Sequence, residues 1–169
     1  MSPYFRAAVA ALLLSLGAIA PGLAQNAGPA KIVPKLEPVA ETRLLMEGLA
    51  HANFRGLERN LAKNPIDGQS WVFARGQALL IAETANLLML RPPKSPSSQP
   101  FWFGHSMDMR NQSMSLAQDL AKKDLERAKA GMQQVANSCN RCHQTFRVNA
   151  DITPFAQPEP PPVRKVSIE

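Results

Sequence analysis

Aromatic residues and cysteines are scarce in this chain. Its 169 residues include seven Phe, two Trp, one Tyr and two Cys. Few aromatics beside abundant Ala, Leu and Met favour helices over a sheet, and no stretch alternates apolar and polar residues as a half-buried strand does. No basic cluster is interleaved with aromatics, which excludes a nucleic-acid partner. Beyond the N-terminal region no apolar run is long enough to cross a bilayer, and there is no internal repeat. The formal charge of +6 would favour an acidic partner or an anionic surface. At this length the expectation is one domain with a single sizeable core.

The N-terminus has the pattern of an export signal. Arg6 supplies the positive start, "AAVAALLLSLGAIA" over residues 7–20 the apolar stretch, and Gly22 and Ala24 the small residues before a cleavage site placed after Ala24. Residues 1–24 are therefore read as a signal peptide, with the mature protein exported to the periplasm and carrying no membrane span. Residues 25–38 hold three prolines at close spacing and read as a flexible segment. A helical pattern runs from Val39 to about Lys63 and stops at "NPIDG". A second runs from about Ser70 to Leu90, with Asp67 or Ser70 as N-cap, and ends in "RPPKSPSSQP". A third is expected from near Ser106 to about Lys122, and a fourth from an Asp124 N-cap to about Val148. Residues 149–169 form a Pro-rich tail, read as extended and mobile. In the second helix Gly76, Ala78, Ala82 and Ala85 would let a neighbour approach closely. The fold class is all-α, with four helices.

The fourth helix has the sharpest periodicity. Leu125, Ala128, Met132, Val135, Cys139, Cys142 and Phe146 recur at steps of three and four, one apolar stripe that includes both cysteines. His143 lies four residues after Cys139 on the adjoining strip. Cys139, Cys142 and His143 form C-x-x-C-H, the spacing that attaches a c-type haem. Two thiols bond to one edge of the porphyrin, and the next imidazole reaches the iron from one face. A zinc site would need further Cys or His nearby, and only His51 and His105 remain, both distant in sequence. A redox dithiol would expect a β-α-β setting. A plain disulfide would not require the following histidine.

The stretch "DLERAKAGMQQVANSCNRCHQTFRV" resembles the closing helix of the cytochrome c′ family, in which an Ala-spaced helix runs into C-x-x-C-H-x-x-F-R. An export signal, four helices and a Trp before the third (Trp102) are similar too. The resemblance covers residues 39–148 and implies an antiparallel four-helix bundle holding one covalently attached haem c. It implies His143 as the proximal iron ligand and leaves a homodimer open. Arg147 resembles the basic residue family members keep beside the proximal ligand; a cation favoured by the helix C-terminus is the other reading. Arg43 is a candidate partner for a haem propionate, or a solvated cation.

In the family, the opposite face of the iron is lined by the first helix. Some members place Met there and carry electrons; others leave the iron open to NO or CO. Met46, Ala50, Phe54, Leu57 and Leu61 form a helical stripe, which makes Met46 a candidate distal ligand, although counting four from Arg43 reaches Glu47. Met46 as a gap-filling core residue remains the alternative. His51 sits on a polar strip with Arg55 and Glu58, and His105 is expected at the surface near the start of the third helix. Met109, Met114 and Met132 read as packing residues. The expected function is one-electron transfer with a redox partner protein, the alternative is binding of small gases, and no distal acid–base pair points to an enzyme.

Overall fold

A computed structural model describes residues 35–65 and 67–155. The expected signal peptide, residues 25–34 of the segment expected to be flexible, and the expected tail from residue 156 lie outside the described residues. Among those described, every regular element is a helix.

Helix α1 is continuous but not uniform: Thr42–Leu45 is α-helical, Met46–His51 is a π-helix, and Ala52–Ala62 is α-helical again. A π-helix admits one extra residue into the turn, is rare, and concentrates at functional sites. Below it, Phe54, Leu57 and Leu61 are buried at steps of three and four. The helix ends at Lys63, after which Asn64 takes a left-handed φ of 56° and Pro65 forbids continuation.

Helix α2 is Gly68–Met89. Asp67 is extended and its Oδ1 accepts from the Ser70 backbone N–H at 2.6 Å, a side-chain N-cap whose bonds lower the carboxyl pKa. Ala74, Ala78, Ala82 and Ala85 are all buried. Gly76 has open space where a Cβ would stand, so the alanines carry the close packing and Gly76 does not. Helix α3 is Gln99–Ala121, entered through a 3-10 turn at Pro96–Ser98. It starts seven residues before the expected Ser106. Pro100 lies in its first turn, where a missing N–H has no partner to lose. Trp102 and His105 are therefore within the helix, not ahead of it or at its start. Helix α4 is Leu125–Thr145, with Asp124 Oδ1 accepting from the Arg127 N–H at 3.0 Å. It closes at Phe146, and Arg147 turns the chain with φ 55°.

Helix α3 packs along both α2 and α4, and α1 rests on α2; α1 and α4 meet only sparsely. Close approach of α4 to α3 depends on Gly131, where a Cβ would come to 3.0 Å from Leu116 Cδ1. Leu57, Leu61, Ile81, Leu116, Leu120, Met132 and Val135 fill the centre with no more than 1% exposure. The described residues are all helical, with four helices, consistent with the bundle expected from the cytochrome c′ resemblance.

Candidate functional site

Between α1 and α4, which meet only sparsely, the bundle leaves a partly open cavity of about 770 Å³. Its walls are Met46, Ala50 and Phe54 from α1, Ile81 and Leu88 from α2, Trp102, His105, Ser106 and Met109 from α3, and Ser138, Cys139, Cys142 and His143 from α4. The lining is mostly apolar with a few polar groups, the make-up of a small-molecule or cofactor site.

Helix α4 brings both thiols and the imidazole to this space. Cys139 and Cys142 are free thiols, and burial pushes each up to about 11; for Cys139 the neighbouring Cys142 adds to the effect. They are thus held neutral, in a setting that suits covalent attachment to an apolar ring better than capture of a cation. The His143 ring is fixed by its outer nitrogen: Nδ1 lies 2.9 Å from the Ala150 carbonyl oxygen. A carbonyl only accepts, so Nδ1 carries the proton and Nε2 keeps a lone pair on a ring that lines the cavity. Among the described residues no group of three His, Cys, Asp or Glu side chains is arranged to hold a bare metal ion.

Met46 stands across from this, half-buried against the core on the α1 wall. Arg43 and Glu47, on the same wall, pair at 2.8 Å and are exposed, and the bond from Glu47 raises the Arg43 pKa. His51 is exposed at the rim; its Nε2 accepts from Arg55 Nε at 3.2 Å, so that lone pair is already used. Arg55 Cζ stands 5.7 Å from the centroid of the Phe54 ring and ties the rim to the cavity wall.

The α3 wall is where reading by sequence fell short. His105 is half-buried and lines the cavity; it is not a surface residue. Its Nε2 is 2.8 Å from Thr145 Oγ1, which itself donates to the Arg141 carbonyl, so the ring N–H is the donor. Trp102 Nε1 donates to the Leu88 carbonyl at 2.7 Å, and its ring meets Phe146 edge-on at 5.3 Å between centroids. Trp102, His105, Ser106 and Met109 are spaced as one helical stripe, a signal visible once the helix is started at Gln99. Met109 and Met132 are buried, but Met114 is 46% exposed and does not pack the core. Arg147 is exposed, follows the helix end, and is not among the residues lining the cavity; the turn it makes carries its side chain's position past the wall.

The model of the family described as Cytochrome C' matches residues 99–147, which are α3, α4 and the turn after them. The match supports assigning this chain to the cytochrome c′ family. No curated protein and no solved structure matches the chain. The family implies haem binding, and the cavity suits it: two neutral thiols, an oriented imidazole and an apolar space of cofactor size meet at one place. No helix of the described residues is long and apolar enough to cross a membrane.

Proposed function

We propose that this chain is an exported monohaem c-type cytochrome that transfers single electrons. The observation that supports it most is the placement of Cys139, Cys142 and His143 on the α4 wall of one cavity, with Met46 on the α1 wall. Each thiol would add its S–H across a vinyl double bond, forming a thioether with no leaving group. His143 would bind iron through Nε2, with the Nδ1–H bond to Ala150 holding its tautomer. The bound haem supplies an iron that gains and loses one electron, at a potential set by its axial ligands and burial. Met46 would offer a soft sulfur to the iron, while Phe54, Ile81 and Leu88 would keep water from the ring. Arg43, paired with Glu47, would serve a propionate at the rim.

The role is that of a carrier, not an enzyme. The N-terminal signal pattern supports a periplasmic location, and the positive net charge supports an acidic redox partner. The test is the optical spectrum of purified holoprotein, oxidised and reduced, with and without CO. A low-spin spectrum with a methionine–iron charge-transfer band, unchanged by CO and lost in Met46→Ala, is expected. A high-spin spectrum that shifts with CO would overturn electron transfer in favour of gas binding.

A further inference from the structure

Residues 149–155, expected from the sequence to begin a mobile tail, are bonded to both α4 and α1, and residues 148–152 line the cavity. At the α4 end, Asn140 holds a single residue by both sides of its amide: Nδ2 donates to the Ile152 carbonyl at 2.9 Å and Oδ1 accepts from the Ile152 N–H at 2.8 Å. At the α1 end, Arg55 Nη1 donates to the Thr153 carbonyl at 3.3 Å, and the Phe155 N–H donates to Glu58 Oε1. Pro154 is buried between these anchors. The Ala150 carbonyl that accepts from His143 Nδ1 is carried two residues before the Asn140 clamp.

We infer that Asn140 is a positioning residue for His143. Its amide clamps Ile152, and that clamp keeps the Ala150 carbonyl against the Nδ1–H in place of water. A firm acceptor there gives the imidazole more anionic character, makes Nε2 a stronger donor, and favours the ferric state. Asn140, which does not line the cavity, thus tunes the potential through a strap that also ties α1 to α4. The inference rests on His143 being the iron ligand proposed above.

The test uses full-length holoprotein with three substitutions. Asn140→Leu removes both bonds to Ile152, Asn140→Asp keeps only the acceptor, and Glu58→Leu loosens the far anchor. Three readouts are needed: haem-stained denaturing gels, the reduction potential, and exchange of the His143 Nδ1 proton with D2O by proton NMR. With haem still attached and helix content unchanged, Asn140→Leu should speed that exchange at least about tenfold. It should also move the equilibrium toward ferrous by about tenfold, a rise in potential of about 59 mV. Glu58→Leu should move both readouts the same way by less, and Asn140→Asp should speed exchange by less while its added negative charge holds the potential down. Wild-type potential and exchange in Asn140→Leu would overturn the inference alone. If that variant loses helix content, Glu58→Leu carries the test, and an unchanged potential there overturns the inference. Wild-type protein without a haem-stained band would overturn the functional reading, and this inference with it.

Discussion

Replacing Trp102 by Phe tests whether the α3 wall is held as the structure shows. The substitution keeps a ring at the site and removes the Nε1–H that bonds to the Leu88 carbonyl at 2.7 Å. Leu88 O also accepts from the Arg91 N–H at 2.8 Å, so the carbonyl is not orphaned, and the loss is that of one ordinary hydrogen bond, about 1 kcal/mol. The smaller ring leaves space facing the cavity, adding up to about 1 kcal/mol. The near-perpendicular contact with Phe146 should survive in part, because a phenyl ring can still meet Phe146 in that geometry. A double-mutant cycle of Trp102→Leu with Phe146→Leu isolates that contact, at about 0.5 to 1.5 kcal/mol. Urea unfolding of holoprotein, followed by far-UV circular dichroism, measures all of these. A Trp102→Phe variant as stable as wild type, or a cycle coupling of zero, would refute the reasoning.

Leu57 has no exposed surface, and Leu57→Ala should destabilise the bundle by about 2 to 5 kcal/mol in the same assay without preventing haem attachment. In haem-free reduced protein, burial raises the Cys139 thiol from its ordinary 9.0 to about 11. Its alkylation rate should therefore keep climbing with pH to about 11, where an ordinary thiol would level off near 9. Because the folded state holds that proton more tightly, its contribution to stability is complete below pH 9.0 and declines as pH rises toward 11. Denaturation midpoints of the haem-free protein across that range check the sign.

Much of this fold could be read from the sequence because three of its signals are local. The Asp67 and Asp124 caps, the breakers after α1 and α2, and the seven-residue stripe of α4 each depend on neighbours within a turn or two. The third helix was started late because the prolines of "RPPKSPSSQP" look like a loop throughout. Pro100 is compatible with a helix only at its first turn, and the sequence does not say which proline occupies that position. That shift displaced His105 from the cavity wall to the surface. The docked residues 149–155 were missed for a different reason. They are pinned by Asn140, Arg55 and Glu58, side chains on two distant helices, and no local pattern marks such bonds.

The π-helix at Met46–His51 occupies the stretch of α1 that lines the cavity, between two α-helical parts. An α-helix advances about 100° per residue and the wider π turn advances less, so one extra residue is taken up while the parts on either side keep a common face. Arg43, Met46, Ala50 and Phe54 accordingly reach the same cavity across the π segment. Phe54, Leu57 and Leu61 lock the lower part in the core. The wide turn is thus a place where α1 can change length without losing its aim: dropping one residue between Met46 and His51 would close it into an ordinary turn and leave both ends facing where they do.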